Sequence, residues 1–361
     1  MRLQRLVLLG AALLCAGLVS ACGAKKGVVP PASSSVLMGL NMATTIGSTV
    51  DPGPGAGLGD QNPYGLGIAP ATAGKVAKGD LVICNFNNAA NVQGTGTTIV
   101  GLHPAAGSSP YRIAQASSLL GCNALAIDSS DNIYAASFSS NQNPIFGASG
   151  TLVSANASPL WSGPFGEIYS PTAGPFGSAS VFASNATSGN VVRQDIKGGS
   201  VVSLEAIVTG FTPNHGVPGS LLGPSGLTYD PVGDILYVVD GNNNRLLQFK
   251  NASTIPANGI TITGTGFGGP QAALARVIFA GSPLNAPISA ALMFNGNVVV
   301  GNTGDNNMLE FTPQGALVAT KLVDTGATGA IFGMVATGTA LSTEKLYFND
   351  DNTNSVVLLS Q

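Results

Sequence analysis

The chain has 361 residues, a formal net charge of −3 and only 9% charged residues, yet 44% of it is apolar and it holds 49 glycines and 22 prolines. High apolar content with few charges excludes a disordered chain, and the lack of any basic cluster excludes a nucleic-acid-binding surface. Nearly every apolar run ends at Gly, Asn or Pro, which predicts many short strands joined by turns.

Arg2 and Arg5 precede an apolar stretch, residues 6–19, with the length and flanks of a signal peptide rather than of a membrane span. It runs into Val19-Ser20-Ala21-Cys22, which resembles the bacterial lipobox. That resemblance implies removal of residues 1–21 and acylation of Cys22 with a diacylglycerol and a further fatty chain of the palmitate kind. Two or more chains hold a protein stably on a membrane. Gly23 is not the aspartate of an inner-membrane retention signal, so the expected place is the cell envelope, at the outer membrane where there are two. Residues 22–35 read as the lipidated N-terminus and a tether, with two lysines, Pro30, Pro31 and a serine run. Residues 36–361 read as one domain.

The clearest segment of that domain is 223–249, GPSGLTYDPVGDILYVVDGNNNRLLQF. It predicts strands over Gly226–Tyr229, Ile235–Val239 and Arg245–Phe249, separated by tight polar turns. Asp240 follows an apolar strand end and precedes an apolar pair by six and seven residues, Leu246-Leu247. The same register recurs at Asn185 (Val191-Val192), Asn302 (Met308-Leu309) and Asp350 (Val356-Val357). Asn85 and Ser137 mark two earlier copies with longer turns. Six markers spaced roughly fifty residues apart match repeated four-stranded units. The expected fold is all-β: a six-bladed β-propeller with four-stranded antiparallel blades. The chain ends after the third strand of the last blade, so an N-terminal strand, Ser35–Leu40, is expected to complete it.

Residues 223–249 resemble an NHL repeat, and the weaker copies extend the likeness over about residues 60–361. The chain is similar to bacterial extracytoplasmic NHL-type propeller proteins. It departs from that pattern where a basic residue often precedes the third strand: Arg245 fits, but Asn190, Asn307 and Ser355 stand at the matching positions.

The markers Asn85, Asn185, Asp240, Asn302 and Asp350 would form a polar ring at one mouth of the channel, as a ligand site or as caps of the turns that follow them. Asp240, Asp305, Asp350 and Asp351 are the carboxylates best placed for Ca²⁺, although they lack the spacing of an EF-hand loop, and no other cofactor is expected. Cys84 and Cys122 are the only pair left to form a disulfide once Cys15 and Cys22 are accounted for. Trp161 with Phe165, beside the apolar segment 145–160, reads as an insertion near blade three, either packed or offering a platform to a glycan or peptide.

Propeller lyases and lactonases, which the expected fold resembles, group acids or histidines at the channel mouth. Here Glu167, His215 and Asp240 would have to converge. His103 and His215 are the only histidines, and nothing clusters near either in sequence. The sequence therefore favours a lipid-anchored envelope binding module, with an envelope protein or glycan as partner, over an enzyme of lyase or lactonase type.

Overall fold

In a computed structural model, residues 35–53, 59–214 and 222–361 are described; the signal peptide, Cys22, most of the tether and His215 lie outside them. The turn chemistry that sets the repeat is visible in the backbone. Four residues after five of the six markers the chain enters the left-handed region, at Asn141, Gly189, Asn244, Asn306 and Asn354. Asparagine and glycine are the residues that accept this conformation at least cost. Each such turn folds one strand back on the last, and the result is six antiparallel sheets.

Blade one comprises Gln61–Ile68, Leu81–Asn87, Thr98–Leu102 and Tyr111–Gln115, and blade two comprises Cys122–Ile127, Ile133–Ser137, Ile145–Phe146 and Leu152–Ser154. Blade three holds Pro164–Ser170, Ala179–Asn185, Asn190–Lys197 and Ser200–Thr209. Blade four holds Pro224–Asp230, Ile235–Asp240, Arg245–Lys250 and Ala275–Ala280. Blade five runs through Pro287–Leu292, Val298–Asn302, Asn307–Phe311 and Leu317–Leu322. Blade six has Ile331–Thr337, Lys345–Asp350 and Ser355–Ser360, and its outer strand is Met42–Ser48, antiparallel to Ser355–Ser360.

Two expectations need correction. The segment 35–40 is not a strand: it forms the helical turn Val36–Gly39, because buried Glu310 of blade five gathers its amides. The Glu310 carboxylate accepts from Ser35 Oγ at 2.6 Å, Leu37 N at 3.0 Å and Val36 N at 3.3 Å. The segment 145–160 is no insertion, since Ile145–Phe146 and Leu152–Ser154 are the two outer strands of blade two. The sequence also concealed an insertion in blade four. Its third and fourth strands are separated by the hairpin Ile260–Thr263 and Gly266–Gly268, which pairs in parallel with the outer strand of blade three. Arg193, wholly buried, holds this insertion through the carbonyl of Ile255 while pairing with Asp195 at 3.0 Å and Glu205 at 2.7 Å.

The core is a set of apolar layers between neighbouring blades. Phe182 and Val191 meet Leu236 and Phe249 between blades three and four, and Ile83 and Val100 meet Tyr347 and Val356 between blades one and six. At the centre the inner strands abut edge to face around the ring. One position of each faces its neighbour's backbone and is small: Gly65, Ala124, Gly166, Gly226, Ser289 and Gly333. A Cβ on Gly166 would lie 2.0 Å from the carbonyl oxygen of Ser225, and one on Gly333 would lie 2.5 Å from that of Tyr64. Cys84 and Cys122 form a disulfide, with Cα atoms 5.2 Å apart, that ties blade one to blade two.

Gly166→Ala is expected to lower the urea midpoint by the equivalent of roughly 1–3 kcal/mol, the usual cost of overpacking against rigid backbone. Cys122→Ser should lose roughly 2–4 kcal/mol through greater freedom of the unfolded chain. An unchanged midpoint in either variant would contradict the corresponding contact.

Candidate functional site

The inner strands share one register, so the channel wall can be read as stacked rings. The strand residues opposite the six markers are Pro63, Cys122, Pro164, Pro224, Pro287 and Ile331. The next ring contains Tyr64, Asn123, Phe165, Ser225, Ile288 and Phe332. Tyr64 stacks on Phe332 with ring centroids 3.7 Å apart and on Phe86 at 4.4 Å, and Phe138 and Phe165 join the same buried cluster. This aromatic plug fills the channel on the marker side. Below it lies the small-residue ring, and the cavity left along the axis is only about 50 Å³.

The markers are buried and engaged with their own loops. Asn85 donates to the Thr49 carbonyl and Thr98 Oγ1, and Asn185 donates to the Leu160 carbonyl and Asn190 Oδ1. Asp240 binds Arg245 at 2.6 Å and Asn243 Nδ2 at 3.0 Å, while Asn302 donates to the Pro283 carbonyl and to Asp305 Oδ1. Asp350 accepts from Thr353 N. Asp351 lies beside it, and burial first, then the Asp350 charge, raise its carboxyl to about 7. Among the described residues no three His, Cys, Asp or Glu side chains are grouped so as to hold a metal ion, so Asp240, Asp305, Asp350 and Asp351 do not form one cation site. Trp161 is buried against Ala183 and Val192, and its Nε1 donates to the Asn156 carbonyl at 2.7 Å.

The ring after the small-residue ring consists of Leu66, Leu125, Glu167, Leu227, Ala290 and Met334. Five apolar residues and one acid occupy equivalent positions. Glu167 Oε1 accepts from Asn143 Nδ2 at 2.7 Å and Gln194 Nε2 at 3.3 Å, whereas Oε2 has no hydrogen-bond partner. Asn156 closes the network by donating to Gln194 Oε1 at 2.6 Å. Burial pushes the Glu167 carboxyl up to about 8, against the lowering effect of Asn143, the Ala136 amide and Gln194. It is therefore protonated at neutral pH, as a buried acid without a cationic partner must be. Glu167 and Asp240 share no partner, so these two do not converge, and His215 is outside the described residues. The sequence signal for Glu167 was present but faint: an acid at a position that is Leu or another apolar residue in the other copies.

Beyond this ring the channel opens on the side away from the markers. The mouth is a concave cavity of about 380 Å³ lined by Ile68, Ile127, Glu167, Tyr169, Leu227 and Val335, among others. A neighbouring cavity of about 490 Å³ lies between Val232, Phe294 and Glu344. Glu344 is also buried, accepts from Phe294 N at 3.3 Å, and is raised to about 7 by burial and then by the Glu310 charge. A mainly apolar hollow with a few convergent polar groups is the usual form of a small-molecule site. Sequence reasoning also missed the setting of His103 in blade one. Its Nδ1 lies 2.7 Å from buried Asp80, which also accepts from Tyr111 Oη at 2.6 Å. Burial opposes ionisation of Asp80, but the hydrogen bonds from Tyr111, Ala77 and His103 hold its carboxyl below the usual range.

No protein-family model and no curated protein matches this chain. Solved structures do. A protein named provisionally as a gluconolactonase matches with a TM-score of 0.57 at 13% identity, over 91% of this chain and 96% of its own. An inactive variant of virginiamycin B lyase from Staphylococcus aureus, with quinupristin, matches with a TM-score of 0.51 at 14% identity over 84% and 96%. An auxiliary nutrient binding protein from Bacteroides thetaiotaomicron matches at 0.56 and 10% identity over 88% and 75%. At such identities the likeness speaks to the fold, a six-bladed propeller distantly related to other propeller proteins. The expectation that the chain is more a non-enzyme than an enzyme is corrected by this finding, because lyases and a lactonase-like protein stand among the bearers of the same fold.

The Glu167 proton gives a stability signature. The folded state keeps it up to about 8, whereas an unfolded chain releases it near 4.5. Between those values the native state binds the extra proton, so stability falls as pH rises through that window and stays lower above it. Urea midpoints measured from pH 5 to 9 should fall for the natural protein. They should fall less steeply for Glu167→Gln, with Glu344 and Asp351 supplying the slope that remains.

Proposed function

We propose that the chain is an enzyme of the lyase or lactonase type, acting on a mainly apolar cyclic ester at the channel mouth away from the markers. The observation that carries this reading is Glu167. One buried, protonated carboxyl with an unpartnered oxygen stands in an otherwise apolar ring and lines the cavity of about 380 Å³. Burying an acid there costs stability that a sixth apolar residue would not cost, which is the expected mark of a group kept for its chemistry. When water adds to the ester carbonyl and the C–O bond breaks, the departing oxygen takes up the Glu167 proton, and the proton lost by the water restores the acid. Glu167 is a general acid already protonated at neutral pH, and Asn143 and Gln194 hold its other oxygen in place. Leu66, Leu125, Leu227 and Met334 would keep bulk water from it while the reacting water enters with the substrate. The chain would work at the cell envelope as an NHL-type propeller lipoprotein, cleaved before Cys22 and held there by its acyl chains.

A panel of lactones and cyclic depsipeptides, followed by mass spectrometry for ring opening, tests this. At least one should be opened, with the rate declining above about pH 8 as Glu167 ionises. Glu167→Gln should slow that reaction by roughly 10²–10⁴-fold while leaving the circular dichroism spectrum unchanged. Retention of a ligand without turnover, or full activity of Glu167→Gln, would overturn the reading.

A further inference from the structure

The two sides of the ring differ in character. Turns between inner and second strands all lie on the side away from the markers, and three carry an exposed apolar side chain: Phe176 (58% exposed), Val232 (96%) and Phe294 (40%). Met38, 54% exposed, sits on the helical turn Val36–Gly39. That turn belongs to the same side. Glu310, which holds it, also accepts from Asn297 Nδ2 at 2.6 Å in the first turn of blade five, and a Cβ on Gly39 would meet Leu341 in the first turn of blade six. On the marker side, among the described residues, the large exposed apolar side chains are Val92 in a turn and Leu322 at a strand end.

Charge divides in the same way. Lys75 and Lys78 are exposed in the first turn of blade one, and Lys345 is exposed where the second strand of blade six begins. The acids of this side are buried (Asp80, Asp128, Asp131, Glu344) or bonded nearby, as Asp230 is to Val232 N in its own turn and Asp234 to Ser253 after the third strand of the blade. The marker side carries Asp60, Asp305, Asp324 and Asp351, each partly exposed. Apolar side chains with lysines on the same side of the ring suit an interface of acyl chains and anionic headgroups.

We infer that this side of the propeller lies against a lipid bilayer, so that the cavity mouth opens toward the membrane. The inference rests on the reading that Cys22 is acylated. About a dozen residues separate Cys22 from Ser35, enough to reach at most about 40 Å when extended. Ser35 enters the domain on this side, so a membrane holding Cys22 would meet Met38, Val232 and Phe294 before it met the markers. The substrate or ligand of the mouth would then be an amphiphile able to arrive from the lipid phase.

The test uses the full chain after export and processing, reconstituted in vesicles of phosphatidylethanolamine and phosphatidylglycerol. Nitroxide labels are placed one at a time by Val232→Cys, Phe294→Cys and, on the marker side, Asn243→Cys. Labels at 232 and 294 should lose access to a water-soluble nickel chelate and gain access to oxygen, while the label at 243 stays open to the chelate. Val232→Asp combined with Phe294→Asp should weaken vesicle binding of the unacylated Cys22→Ser chain by roughly tenfold or more. Mass spectrometry of the N-terminal peptide reports acylation independently. If Cys22 proves unmodified, the anchor reading fails and the labels alone decide the contact. Equal chelate access on both sides overturns the inference. So does protection of 232 and 294 without vesicles, which would make a second copy of the chain the occupant.

Discussion

The close approach of six inner strands at the axis is the constraint on which the rest of the structure depends. It requires a residue no larger than serine at one position of every inner strand, and Gly65, Ala124, Gly166, Gly226, Ser289 and Gly333 meet that requirement. With the strands so close, the axis has no room for a water-filled pore, and the rings above and below it divide the molecule into two unlike ends. On one side the stacked Tyr64, Phe86 and Phe332 fill what space remains. On the other the wall widens into a hollow of leucine, isoleucine and methionine. The apolar layers between blades follow from the same geometry, because each blade can cover its neighbour only if both are anchored at the axis.

Glu167 acquires its properties from this arrangement rather than from a neighbouring charge. Its position in the repeat is buried in all six blades, and in blade three it is a carboxylic acid. Asn143, Gln194 and Asn156 form a polar chain around it, each donating to the next acceptor, so that only one oxygen is left over. The donors of this network favour the carboxylate, but burial outweighs them and keeps the acid protonated. The stability of the fold thus bears on one proton, held by burial rather than by a charge partner.

Much of the fold was legible in the sequence, because the repeat depends on local chemistry. An apolar strand end, a polar marker and a left-handed Asn or Gly four residues later are local events, and Asp240, Asn302 and Asp350 show them in the same register. What the sequence concealed depends on contacts between distant segments. Ser35–Leu40 has the composition of a strand, but Glu310, far along the chain, draws its amides into a helical turn. Ile145–Phe146 and Leu152–Ser154 are too short to show alternation, so they read as an insertion. The blade-four hairpin at Ile260–Thr263 joins blade three in parallel, a pairing no local pattern announces. The candidate site was half visible: Glu167 stood out as an acid, but its burial and its separation from Asp240 follow from ring geometry. Asp80 gave no sign of its link to His103, twenty-odd residues away in sequence.

Blade six is assembled from both ends of the chain, and this bears on how the protein is made. Synthesis runs from the amino end, so Met42–Ser48 exists long before Ser355–Ser360, its only strand partner. Until then only Ser108, which donates to the Ile46 carbonyl at 2.9 Å, can hold it, and the rest of its edge is unpaired, the kind of segment that seeks other chains. Its neighbours Val36–Gly39 can find Glu310 only slightly earlier, when blade five emerges. The first strand to be made is therefore among the last to be placed. Loss of Ser355–Ser360 would strip Met42–Ser48 of its strand partner and leave Glu310, with the Ser108 bond to the Ile46 carbonyl, among the holds on the segment that leads back to Cys22.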